Sequence, residues 1–379
     1  MIKFVSSYLS FDGSKARELP GKARVLRILP MRNTPLNKGE PRAGASSHEA
    51  APALESIEKE HGSDSSAHDM PLFENPFLIE DLQVFDDPTM QRLLRCDGFG
   101  LTLEDLAWSL HGVSTSLVKR IRHNVPAQQR ASFAQELRRP IAVDQVKAAR
   151  QRVLHGLFWE LTYWETPNLY EELTEGEQLH PGIFQQLAQD LRGKIVLDAG
   201  AGSGRASFEC LRRGARLVYA MEPSPGLLRI LQQKAARQRV NGRIFPCQGR
   251  FEQIPLEDDS VDLALSCSAF TAQPEQGGEP GLAELKRVTK AGGKIVLIWP
   301  RQEDRQWLIE RGFQYVSLPV RREMRVHFRS LQSALRCARI FYARNGEVLR
   351  YLLKKQKPEV PYSVLGINPP CDYCWLSVE

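Results

Sequence analysis

The chain has 379 residues, 42% of them hydrophobic and 25% charged, with a formal net charge of +6. Its length predicts two or three units rather than one, and no run is apolar enough to span a bilayer. The seven cysteines are odd in number and scattered, and the only CxxC is Cys371 and Cys374, which excludes a regular disulfide framework and a zinc ribbon. The opening MIKFVSSYLSFDGSK lacks the hydrophobic run of a signal peptide, so a cytoplasmic protein with reduced thiols and no metal is expected.

Residues 1–35 hold two β-like runs, KFVSSYLSF and ARVLRILP, which name no function. Residues 36–72 are rich in Ser, Ala, Glu, Gly and His and predict a disordered linker, because they bury too little apolar surface to offset the entropy of ordering. From 73 to 162, apolar spacings of three and four predict an all-helical domain, with Asp86 and Thr102 as N-caps. Within it, FLIEDLQVFDDPTMQRLLRCD, LAWSLHGVS, IRHNVP and PIAVDQVKAARQRV together resemble the C-terminal domain of the flagellar motor switch protein that carries torque. That family drives rotation through charges on one helix. The resemblance aligns His111, Gln128, Gln135 and Glu136 with those charges, and only Glu136 keeps its own. It implies a retained fold without the torque chemistry, and a protein partner docked through the helical domain.

Residues 163–191 lead into the next unit and contain Tyr163, Trp164 and Tyr170, which either pack the interface between domains or face a cationic group. The run KIVLDAGAGSGRASF then predicts a strand buried on both faces, ended by Asp198. A turn bearing Gly200, Gly202 and Gly204 follows, and a helix begins after it. Glycines there permit positive φ and let a ligand approach the main chain, at the strand end where open α/β sheets bind ligands. The following strand, RLVYAMEPSP, ends in Glu222, about twenty residues on, where an acid accepts the hydrogen bonds of a ribose diol. The competing reading is that Glu222 only caps the helix that starts near Pro225.

DAGAGSGR is similar to the DxGxGxG motif of class I S-adenosylmethionine-dependent methyltransferases. FEQIPLEDDSVDLALSCSAF, GLAELKRVTKAGGKIVLIWP, WLIERGFQYVSLPV and EMRVHF resemble later blocks of that family in order. The resemblance implies a Rossmann-like seven-stranded α/β sheet over residues 163–328, closed by an antiparallel pair from the last two blocks. It also implies S-adenosylmethionine as cofactor, held by Asp198, Gly200, Gly202, Gly204 and Glu222. Where many members place an acid toward the adenine amino group, this chain has Arg250, which donates but cannot accept. Phe251, with Glu252 beside it, becomes the candidate at that end. No spacing selects a catalytic base, although His180 and Ser268 are available, and Cys267 follows strand four where a target-side group would lie.

Residues 329–379 predict a basic helical extension. From Arg321 to Lys357 eleven Lys and Arg face two acids, a surface suited to nucleic acid, an acidic protein or an anionic membrane, or a solvated helical face. NPPC at Asn368–Cys371 stands outside strand four, where the similar motif of amide and adenine methyltransferases belongs, and reads as a proline-stiffened turn. The expected activity is methyl transfer to a small molecule or protein. A non-catalytic interaction protein and a nucleic-acid methyltransferase guided by the tail are the alternatives.

Overall fold

In the computed structural model, which describes residues 75–95 and 99–379, the chain opens with short helices. They are α1 (Asp87–Arg95), α2 (Leu103–Ser109), α3 (Thr115–Asn124), α4 (Arg130–Arg138) and α5 (Val143–Gly156). The segments 1–35 and 36–72 lie outside the described residues. Both expected N-caps are made: Asp86 Oδ1 accepts from the Thr89 amide at 2.8 Å, and Thr102 Oγ1 from the Asp105 amide at 3.0 Å. Each satisfies a first-turn donor that has no partner within the helix. Leu93, Leu106, Ile121, Phe133 and Val153, one from each helix, converge as the buried core of this region.

Two further helices, α6 (Phe158–Trp164) and α7 (Pro167–Thr174), join this region to the sheet. Phe158 meets Phe77 edge-on at 5.7 Å and Phe341 at 6.0 Å, while Trp159 stacks on Phe341 at 5.5 Å. Phe341 comes from near the end of the chain, so α6 is gripped by segments from both sides of the sequence. One continuous apolar cluster runs from Phe77 to Tyr373.

The sheet is built from β1 (Ile195–Ala199), β2 (Leu217–Met221), β3 (Ile244–Cys247), β4 (Val261–Cys267), β5 (Thr289–Ile298) and β6 (Gln314–Ser317), with β7 (Arg325–His327) and β8 (Glu359–Pro361) outside it and β9 (Asp372–Ser377) last. Its order is β3-β2-β1-β4-β5-β9-β6, the expected seven-stranded Rossmann-like arrangement. Strands β3 to β5 run parallel, and β9 is antiparallel to both β5 and β6. Helices α8 (Arg205–Arg212), α9 (Pro225–Arg237), α10 (Gly278–Val288) and α11 (Arg305–Glu310) connect the strands. Central β1 is buried on both sides, with Val196 and Leu197 both fully shielded, which is why its apolar run is continuous rather than alternating. From β1 the chain winds outward to β2 and β3, then returns to place β4 on the other flank. This reversal opens a crevice at the carboxyl ends of β1 and β4.

The closing antiparallel pair differs from the expectation. EMRVHF leaves the sheet: β7 pairs with β8 in a separate two-stranded ribbon, and the strand inserted between β5 and β6 is β9, from the carboxyl-terminal segment. A strand with neighbours on both sides and helices over its faces has little room for charge. Tyr373 and Cys374 of β9 are buried, whereas β7 carries Arg325 and His327 around a single buried residue, Val326. The segment beyond residue 328 therefore contains α12 (Leu331–Phe341) and α13 (Gly346–Lys355), and also completes the sheet. The NPPC turn delivers β9: Pro370 O accepts from the His180 amide at 2.9 Å and Cys371 O from the Leu318 amide at 2.8 Å. Burial pushes the Cys374 thiol up to about 12 and raises that of Cys371.

A chain stopped after residue 370 should lose its cooperative thermal transition, because β6 would be cut off from the sheet and β5 would be left as an open edge. A melt that overlays the full-length curve would show β9 to be dispensable.

Candidate functional site

The loop after β1 is shaped by its glycines. Gly200 and Gly202 adopt φ of +74° and +56°, the left-handed region that disfavours side chains. A Cβ on Gly200 would stand 2.5 Å from the Ala269 Cβ, whereas one on Gly202 would meet only Tyr170 Cε1, at 3.8 Å, and would project into the crevice. Gly204, at φ +96°, is the residue from which α8 departs.

Glu222 ends β2 and is almost fully buried. Its two oxygens accept from the main chain on either side, Oε2 from the Gly202 amide and Oε1 from the Ser224 amide, both at 3.0 Å. The cap of α9 is Ser224, whose Oγ accepts from the Leu227 amide at 3.2 Å. Glu222 is thus not the helix cap; it binds the glycine loop and keeps lone pairs for a ligand. Burial raises its carboxyl to about 7, against the pull of the two amides. Asp198, beneath the loop, is fully buried: its Oδ2 accepts from Ser207 Oγ at 2.6 Å, and its Oδ1 has no partner. Burial raises this carboxyl to about 6.

Gly200, Gly202 and Glu222 border an open cavity, whereas Asp198 and Gly204 stand outside its lining and act on the loop from behind. Gly200, Gly202, Glu222, Pro223 and Phe251 form the sheet side, and Cys267, Ser268 and Ala269 form the β4 end. The opposite wall comes from the helices: Arg92 of α1, Glu160, Tyr163 and Trp164 of α6, and Tyr170 of α7. The aromatics do both things left open by the sequence. Tyr163 meets Tyr170 edge-on at 5.0 Å and Trp164 meets Phe85 at 5.8 Å, so they pack the junction while also facing the cavity.

Arg92 and Glu160 were not legible as site residues. They pair at 3.1 Å across 68 positions of sequence, and neither belongs to a motif. The signal that was present is the helical spacing of Glu160 and Tyr163, which places both on one face. Arg250 is likewise explained: its Nη2 donates to Thr89 Oγ1 of α1 at 2.6 Å, tying the loop after β3 to the helical region. Burial, with Arg92 nearby, holds its pKa below the usual arginine value.

Of the two residues considered as a base, Ser268 lies in the cavity wall and His180 does not. Nδ1 of His180 accepts from the Gly182 amide at 3.2 Å and caps the short helix beginning at Pro181. Ser268 Oγ accepts from Arg205 at 3.2 Å, and Arg205 also binds buried Glu177 Oε2 at 2.9 Å. Burial raises the Cys267 thiol. Among the described residues no cluster of His, Cys, Asp or Glu is arranged to hold a metal.

Residues 196–293 match the methyltransferase domain family, and residues 71–157 match the FliG C-terminal domain family. Residues 196–293 are thus similar to a methyltransferase domain. An uncharacterized methyltransferase of Geobacillus sp. (strain WCH70) is 29% identical over 178 residues, 44% of this chain and 80% of that protein. The histone-arginine methyltransferase CARMER of Culex quinquefasciatus is 42% identical over 99 residues, 26% of this chain and only 16% of that protein. A solved structure, a putative S-adenosyl-L-methionine-dependent methyltransferase from Methanococcus maripaludis, aligns with 56% of this chain and 92% of its own at 16% identity and a TM-score of 0.34.

The methyltransferase domain should carry a pH signature. Because the folded pKa values of Glu222 and Asp198 lie above their ordinary ones, the folded state holds more protons than the unfolded state between about pH 4 and 7. Stability therefore falls as pH rises through that window. Urea midpoints from about pH 5 to 8 should decline in the wild type and decline less in Glu222→Gln.

Proposed function

We propose that the chain transfers a methyl group from S-adenosylmethionine to a small-molecule or protein acceptor. The observation that carries this reading is the buried Glu222 carboxylate, bonded to the Gly202 amide in the glycine cradle and still able to accept. The residues present fit the cofactor: Gly202 leaves space where a side chain would intrude, and Asp198 keeps an unpartnered buried oxygen beneath the loop.

When bound, the cofactor supplies a methyl group made electrophilic by its sulfonium. Glu222 would accept from the ribose hydroxyls, the amides of the glycine loop would border its main chain, and Phe251 would cover the adenine. Tyr163 and Tyr170 offer ring faces to the sulfonium, an attraction of about 0.5 to 2 kcal/mol. The β4 end presents Ser268, already accepting from Arg205, and a protonated Cys267. Neither is a ready base, so the acceptor must bring its own lone pair. The contribution of the chain is then alignment and exclusion of water. No described helix is long and apolar enough to cross a membrane.

The interaction-protein reading rests on the helical region, which supplies Arg92 and Glu160 to the cavity and so joins partner docking to cofactor binding. The guided nucleic-acid reading through the tail has less support, because several of the tail cations are engaged: Arg325 with Glu359, Arg329 with Glu175, Arg336 with Glu172 and Arg350 with Glu347.

Titration calorimetry with S-adenosylmethionine and S-adenosylhomocysteine should register binding. Glu222→Ala should weaken it at least about tenfold, since a charge-assisted hydrogen bond contributes about 1.5 to 3 kcal/mol. A folded protein that gives no heat with millimolar cofactor would refute the reading. Labelled cofactor incubated with small-molecule, protein and nucleic-acid fractions then identifies the acceptor.

A further inference from the structure

The edge of the sheet opposite the glycine loop is strongly positive. Arg192 and Lys194 precede β1, Arg216 precedes β2, and Arg237, Arg239 and Arg243 precede β3; all six are exposed. The register, Ile195 beside Leu217 and Val218 beside Ile244, sets residues 194 and 216 side by side and residue 243 one position further along, at the starts of adjacent strands, which lie about 4.8 Å apart. The row is held from within: Lys194 O accepts from the Arg216 amide at 2.8 Å, and the Arg243 guanidinium donates to Ala215 O at 2.6 Å.

Among the described residues, the other five side chains have no carboxylate partner. Acids in the neighbourhood are committed elsewhere. Glu209 binds Arg212 at 2.8 Å, Asp190 binds Lys294 at 2.7 Å, and Asp262 receives both the Ile195 amide and Lys290. The strand starts are therefore a free positive surface separate from the tail, where Arg329, Arg336 and Arg350 are paired with acids. Beside the row stands Phe245, 43% exposed on β3, the outermost strand of the sheet, with Tyr219 5.9 Å behind it.

We propose that this face binds single-stranded nucleic acid along its phosphate backbone, with Phe245 stacking on a base. Guanidinium forks match phosphate oxygens in pairs, and an exposed ring beside a cationic track is the arrangement by which single strands are held without regard to sequence. The face is remote from the cofactor cavity, so the nucleic acid is a docking partner, and the assignment stands whether or not methyl transfer is the activity.

Fluorescence anisotropy of the full chain with labelled 20-nucleotide oligo(U) and oligo(dT) tests it across about 50 to 300 mM KCl. Binding at low salt should fall with a log–log slope of about −3, since each phosphate contact on a single strand contributes about −0.7. The triple variant Lys194→Glu, Arg216→Glu, Arg239→Glu should bind at least about tenfold more weakly and with a shallower slope. The milder set Lys194→Gln, Arg216→Gln, Arg239→Gln serves if the first does not fold. Phe245→Ala should weaken binding a few-fold and leave the slope unchanged, as a stacking contact releases no ions. Absence of binding at the lowest salt, or binding that is insensitive to these substitutions but lost in Arg339→Ala, Lys354→Ala, Lys355→Ala, would overturn the proposal. So would polyglutamate competing as well as RNA, which would make the face a site for acidic polypeptide.

Discussion

The glycine loop is held in place by one buried carboxylate. Glu222 reaches from the end of β2 to the Gly202 amide with one oxygen and to the Ser224 amide with the other. Placing an acid in so shielded a position is costly, and the rise of its pKa to about 7 is the measure of that cost. It is tolerated because the alternative is worse: the amides at the loop would be left without acceptors at the mouth of a cavity. Two turns that must keep fixed spacing for any ligand to fit are thus tied together by a group that can also bind the ligand. Asp198 repeats the device beneath the loop, with one oxygen satisfied by Ser207 and the other unpartnered.

The second constraint is the junction between helices and sheet. In the FliG-like region the positions aligned with torque-bearing charges are His111, Gln128 and Gln135, and the retained Glu136 is occupied internally, accepting from Trp108 Nε1 at 3.2 Å and lying 3.5 Å from Arg139. Its helices instead carry polar groups inward. Thr89 accepts from Arg250, and Arg92 pairs with Glu160, so the fold supplies one wall of the methyltransferase cavity. A rearrangement of α1 would disturb the cavity directly, because the same helix holds both contacts.

Charge is segregated along the molecule by the same logic of pairing. The carboxyl-terminal segment looks strongly basic in sequence, but Arg336 of α12 and Arg329 just before it meet Glu172 of α7 and Glu175 in the loop after it. These exposed or half-exposed pairs add little stability individually, yet they cancel the field that the isolated segment would project. The strand starts carry exposed cations without such partners.

Much of this was legible in the sequence because it is local. The buried run of β1, the glycines after it, Glu222 at the end of β2 and the caps Asp86 and Thr102 all follow from short-range geometry that few residue types can satisfy. The Rossmann-like sheet and the FliG-like helices were likewise readable from ordered blocks. Tertiary structure alone decided the rest. It placed β9 rather than residues 325–327 in the sheet, since β9 offers Tyr373 and Cys374 for burial where the shorter segment offers only Val326. It brought Arg92 and Glu160 together from 68 positions apart, assigned Arg250 to Thr89, moved His180 out of the cavity, and paired Arg329 and Arg336 of the basic tail with distant acids. Each of these depends on which side chains meet across the fold, and periodicity along the chain carries no information about contacts between distant segments.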